Sequence, residues 1–167
     1  SHYMIKSVKP IFVVLVFSSL ISFSFIEKKD PTEKLVPGDK VPIPVLENEK
    51  QTLDLHAGEG KYTLLSFWAG YDAMSRMKNA ELCHALKNSD RIKMISVSLD
   101  RYESVFNAVV EQDCLESSLC YNETGGRTSE LYKEFGLREG FANYLIDNDG
   151  VIVAKNVSAG DLASYLN

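Results

Sequence analysis

Residues 62–99 read YTLLSFWAGYDAMSRMKNAELCHALKNSDRIKMISVSL, and this stretch decides the fold. Tyr62 to Trp68 is a short apolar run of strand length, and Ala73 to Asn88 has helical composition with Leu82, Cys83 and Leu86 on one side. Ile92 to Leu99 then alternates Ile95, Val97 and Leu99 against serines, the period of a strand. A strand, a helix and a second strand in that order make a parallel pair with a right-handed crossover.

The flanking chain extends this unit. Asp100 opens Asp-x-x-Glu, a capping box for a helix through about Gln112. Thr128 to Phe135 reads as a short helix that stops at Gly136. Phe141 to Ile146 and Val151 to Lys155 read as strands joined by Asp147-Asn148-Asp149-Gly150, a strong hairpin signal. Ser158-x-x-Asp161 caps a final helix. Upstream, VPIPVLEN and QTLDL flank Glu49-Lys50 as a hairpin, and Pro42 and Pro44, each without a backbone donor, place that strand at an edge. The expected fold is therefore α/β, a mixed β-sheet with helices on both faces and an N-terminal β-hairpin extension.

A chain of 167 residues, 45% hydrophobic and 25% charged, has the composition of one soluble globular domain. Its net charge of -5 and lack of clustered Lys and Arg argue against nucleic acid as a partner. At the N-terminus Lys6 and Lys9 precede an uncharged run from Ile11 to Ile26, the layout of a secretory signal. The run is shorter than the ~18 residues of a spanning helix, and no Cys follows it to take a lipid anchor. Residues 1–26 are thus read as an export signal or signal anchor, of which 1–3 carry no fold information. Residues 27–37, punctuated by Pro31 and Pro37, are read as a linker, and 38–167 as the folded domain.

Leu64 to Arg76, LLSFWAGYDAMSR, resembles the first core strand and helix start of periplasmic thioredoxin-like proteins of the TlpA/ResA type, a redoxin, AhpC/TSA-like group. Their pattern there is F-W-A-x-W-C-x-x-C-R; Phe67, Trp68, Ala69 and Arg76 match it, with Tyr71 for the second Trp. Val97-Ser98-Leu99-Asp100 resembles the next core strand and its exit. Phe135-Gly136-Leu137 followed by Tyr144-Leu145-Ile146-Asp147-x-Asp149-Gly150 resembles Y-G-V…F-L-I-D-x-x-G, and Gly38 to Pro44 and Gly60-Lys61-Tyr62 also fit. The resemblance runs from about Gly38 to Asn167 and implies a thioredoxin-like fold and thiol-disulfide chemistry.

The departures fall on that chemistry. The family's two cysteines align with Asp72 and Ser75, its cis-proline with Phe141, and its helix proline with Ala80. The family's nucleophile is a thiolate favoured by a helix N-terminus, and a second cysteine resolves the mixed disulfide. Asp72 keeps the negative charge but cannot form a disulfide, and Ser75 is a poor nucleophile without a general base. By itself Asp72 also reads as an ordinary N-cap bonding the amide of residue 74 or 75. No catalytic residue is expected.

Other groups give less. Cys83 reads as a small buried hydrophobe on its helix. Cys114 and Cys120 lie six apart, and the sequence leaves open a local disulfide, two free thiols or a redox-cycling pair. His2, His56 and His84 have no ligand spacing, so neither metal nor cofactor is expected. Trp68, Tyr71 and Phe141 should converge beside the former dithiol, either as packing beneath a loop or as an aromatic patch for a partner. The leading expectation is a non-catalytic binding module of the cell envelope, in the periplasm or on the outer face of the inner membrane. Its candidate surface is Trp68, Tyr71, Asp72, Met74 and Phe141, its partner an envelope protein or peptide, and its membrane contact only the N-terminal segment if uncleaved. The alternatives are a thiol-disulfide oxidoreductase or peroxiredoxin-like antioxidant protein using Cys83, Cys114 or Cys120, and a structural subunit of an envelope assembly.

Overall fold

A computed structural model describes residues 34–167; the segment read as an export signal and most of the linker lie outside the described residues. Four of the runs, joined by one short strand without a sequence signal, form one sheet in the spatial order Cys120–Asn122, Ile92–Ser98, Tyr62–Trp68, Asn143–Ile146, Ile152–Lys155. Here β3 is Tyr62–Trp68, β4 Ile92–Ser98, β5 Cys120–Asn122, β6 Asn143–Ile146 and β7 Ile152–Lys155. β3 pairs parallel with β4, as the crossover requires, and β4 parallel with β5; β6 runs antiparallel to β3, and β7 to β6. A separate antiparallel hairpin, β1 (Val45–Leu46) and β2 (Gln51–Thr52), precedes them. Among the described residues the α-helices are α1 (Ala73–Ala85), α2 (Glu103–Gln112) and α3 (Glu130–Glu134). The mixed sheet, its helices and the N-terminal hairpin are the expected architecture.

Strand alternation sorts the core into two layers. Leu65 and Phe67 of β3, Ile95 and Val97 of β4, and Tyr144 and Ile146 of β6 pack on one face with Leu46, Leu53 and Leu131. Leu64, Met94 and Leu145 point to the other face, against Leu82 of α1 and Leu86 at its C-cap. Trp68 meets Val109 of α2 there. Each fully buried large side chain of this kind contributes roughly 1.5–3 kcal/mol.

The serines of β4 do not mark a wet face. Ser96 and Ser98 are fully buried, and Ser96 Oγ accepts Trp68 Nε1 at 2.7 Å while donating to Asn79 Oδ1 at 2.8 Å. Hydrogen bonding to interior partners lets a small hydroxyl occupy a core position.

Several features differ from expectation. Leu35, placed in the linker, is buried in the core, and its carbonyl accepts Lys155 Nζ at 3.1 Å. Pro42 and Pro44 lie outside β1, between that strand and a bridge that pairs Lys40 with Val151 beside β7. β5 had no sequence signal, because three residues are too few for a periodic pattern. The last helix is a 3-10 segment, Asp161–Tyr165, with Gly160 at its N-cap; Ser158 and Asp161 bond each other reciprocally at its entry, at 2.8 and 3.2 Å.

Candidate functional site

β3 delivers the chain to the start of α1 through Ala69–Asp72, and the loop is held from below. Asp100 does not cap α2; Tyr102 stands at that N-cap, without a side-chain bond. The Asp100 carboxylate turns inward, 3% exposed, and accepts the Gly70 amide at 3.0 and 2.8 Å. Ser98 Oγ donates to it at 2.6 Å. A Cβ at Gly70 would meet Val105, Val109 and Asp100 at 3.1–3.4 Å, so those side chains would have to give by a few tenths of an ångström to admit one.

Asp72 and Ser75 close on each other at the helix start. Asp72 is the N-cap, and its Oδ2 accepts the Ser75 amide at 3.1 Å. Ser75 Oγ donates to the Asp72 carbonyl at 3.1 Å and accepts the Ala69 amide at 3.3 Å. Both side chains are committed to local backbone. One turn on, Arg76 reaches Asp113 at the end of α2 with two nitrogens, at 2.8 and 2.9 Å. The hydrogen bond to Arg76 holds the Asp113 carboxyl below its ordinary value, and Asp113 raises that of Arg76. The ion pair braces the helix start against α2.

A cleft of about 380 Å³ opens between α1 and the segment Phe141–Asn143 that enters β6, lined by Asp72, Met74, Ser75, Met77 and Phe141 among others. The Phe141 ring lies 6.2 Å from that of Tyr71, and the peptide bonds of the described residues, Gly140–Phe141 included, are trans. Arg127 stacks over the Tyr71 ring at 5.1 Å and its Nε donates to the Tyr71 hydroxyl at 3.4 Å. Tyr71 and Met74 are 55% and 70% exposed, so the rim offers apolar area to solvent. Trp68 leaves the candidate surface: it is fully buried, packed 6.2 Å from Phe106 and bonded to Ser96. The expected convergence thus unites Tyr71 and Phe141 and excludes Trp68, whose position in β3 points it under α2. Arg127 and Asp100 were missed. Nothing local ties Arg127 to Tyr71, and the Asp-x-x-Glu spacing looked like a cap.

The sulfurs lie elsewhere. Cys83, Cys114 and Cys120 are free thiols: Cys114 is exposed after α2, Cys120 is buried in β5, and Cys83 is partly buried on α1. Burial pushes the Cys83 thiol up to about 12 and that of Cys120 to about 11. Neither is a nucleophile at neutral pH, because the reactive species is the thiolate. Among the described residues no group of three His, Cys, Asp or Glu side chains could hold a metal ion. No described helix is long and apolar enough to cross a membrane.

No family model and no curated protein matches the chain. Solved structures do. A thioredoxin-like protein from Parabacteroides distasonis is 40% identical, with a TM-score of 0.72, over 80% of this chain and 96% of that one. The thioredoxin domain of a thiol-disulfide oxidoreductase from Bacteroides vulgatus is 21% identical, TM-score 0.64, over 80% and 100% of the two chains. A thiol-disulfide oxidoreductase from Bacteroides fragilis is 23% identical, TM-score 0.60, over 77% and 97%.

Proposed function

The chain belongs to the thioredoxin-like redoxin family, among relatives of thiol-disulfide oxidoreductases, and from that premise we propose that it is a non-catalytic binding module of the cell envelope. One observation carries the reading. At the helix start where the family's pattern has its dithiol stand Asp72 and Ser75, hydrogen-bonded to each other's backbone rather than presented to a substrate. Two of the three cysteines are held as protonated thiols by burial. What remains at this end of the molecule is a cleft with an exposed apolar rim of Tyr71, Met74 and Met77. Apolar rims beside a polar cleft suit protein or peptide contact. Export by the Lys6–Ile26 segment would bring the domain to an envelope protein or peptide.

Three measurements test this. In an insulin-reduction assay with dithiothreitol, the chain should not exceed background. A rate above background that disappears when Cys114 and Cys120 become Ser would establish the oxidoreductase reading instead. Titration with a library of extended peptides should shift amide resonances at Tyr71, Asp72, Met74 and Phe141, and Met74→Lys should abolish the response. Peptides that leave those four resonances unmoved argue against the cleft. A fusion of residues 4–40 to a reporter active only outside the cytoplasm should be active, and a well-expressed silent fusion would refute export.

A further inference from the structure

Buried Cys120 and partly buried Cys83 share one hydrophobic cluster, away from the cleft. Ser96 of β4 and Cys120 of β5 are register partners, so their side chains leave the sheet on the same face. Ser96 is bonded to Asn79, which identifies that face as the one covered by α1. Cys83 follows Asn79 by one helical turn, on the same side of α1. It packs against the cluster formed by Trp68, Val109, Leu115 and Cys120. Burial raises the Cys83 thiol, and the Cys120 thiol adds to that rise. Cys114 differs in kind: it is exposed, in the left-handed conformation at φ 52, just beyond the end of α2.

We infer that Cys83 and Cys120 form an oxidisable pair that closes into an internal disulfide tying α1 to β5. The pairing left open by sequence, Cys114 with Cys120, is replaced by this one. The oxidant is a disulfide of the glutathione class or a protein disulfide. One cysteine attacks it, forms a mixed disulfide and releases one donor thiol. The other cysteine then attacks the mixed disulfide and releases the second, so two electrons and two protons pass to the donor. Closure belongs to folding, before the sulfurs are covered. Once they are buried the thiolate fraction is minute and exchange is slow. The bond is therefore a clasp and not a cycling dithiol, and it is independent of whether the cleft binds a partner.

The full chain, reduced and unfolded in urea, is refolded with excess oxidised glutathione; free thiols are alkylated and the peptides mapped by mass spectrometry. The expected product is two hydrogens lighter within one cross-linked pair of peptides, one carrying Cys83 and the other Cys120. Cys114 should be alkylated or glutathionylated, and Cys114→Ser should leave the cross-link intact. Cys83→Ala should abolish it; if that variant fails to fold, the wild-type and Cys114→Ser maps still decide. Folded, reduced protein given the same oxidant should cross-link at least roughly tenfold more slowly. A Cys114–Cys120 bridge, alkylation of both Cys83 and Cys120 in refolded protein, or a cross-linked species that does not regain its native circular dichroism would each overturn the inference.

Discussion

Asp100 and Gly70 are joined through the interior, the amide of one shared between both carboxylate oxygens of the other at 3.0 and 2.8 Å. The pair fixes the loop that leads into α1 and hence the cleft wall. Replacing Asp100 by Ala leaves the Gly70 amide and the Ser98 hydroxyl without their acceptor in a buried setting. The expected cost is about 1.5–3 kcal/mol by urea unfolding. Asp100→Asn keeps one acceptor oxygen and should cost less. Equal losses for the two variants would mean that packing, not hydrogen bonding, holds the loop.

Asp72 stabilises α1 by capping the Ser75 amide and by placing a negative charge at the positive end of the helix dipole. Asp72→Ala should cost about 0.5–2 kcal/mol. Asp72→Asn retains the cap without the charge and should lie between wild type and Ala. If Asn equals wild type within error, the dipole contributes nothing measurable here.

Glu123 is fully buried, and its carboxylate accepts the Glu47 amide at 3.1 and 3.3 Å. Burial raises its carboxyl above the ordinary 4.5, with Glu47 adding repulsion and the backbone bond opposing both. The folded state thus keeps the proton to a higher pH than the unfolded chain. Stability from this group is present below the ordinary value and is lost as pH rises through the folded value. Glu123→Gln removes that loss while keeping an acceptor for the Glu47 amide. Its urea midpoint should exceed that of wild type at pH 7, and the gap should close near pH 4. A gap that does not change with pH would attribute the effect to packing alone.

The β3-α1-β4 unit was legible because each element spans enough residues to display its period. Turn chemistry did the same for β6-β7, where Asp147 Oδ1 accepts the amides of Asp149 and Val151. Other features depend on contacts that the local sequence does not carry. Ser96 and Ser98 look like a wet face until Trp68, Asn79 and Asp100 absorb their hydroxyls. Asp-x-x-Glu reads as a cap whichever way Asp100 turns. Tyr71 and Phe141 could be paired in advance because the family resemblance aligned both with one site. Arg127 could not, since no motif marks it.

Installing Cys at both positions 72 and 75 would place a C-x-x-C at a helix start that favours a thiolate. The present side chains already approach within hydrogen-bonding reach of each other's backbone, so the double variant should form a disulfide. Its reductase activity should nevertheless stay low, because Phe141 faces the new dithiol across the cleft. The Gly140–Phe141 bond is trans, and a cis bond before a residue other than proline costs ~2.5–4 kcal/mol. The loop should then fail to offer its backbone to a substrate strand as the family's cis-proline loop does. Adding Phe141→Pro lowers that cost to roughly 0.5–1 kcal/mol and should raise the insulin-reduction rate over the double variant. A double variant as active as an ordinary thioredoxin-like enzyme would show that Phe141 obstructs nothing. A triple variant that forms the disulfide yet stays inactive would move the missing requirement to the rim, where Tyr71 is held by Arg127 and Phe141.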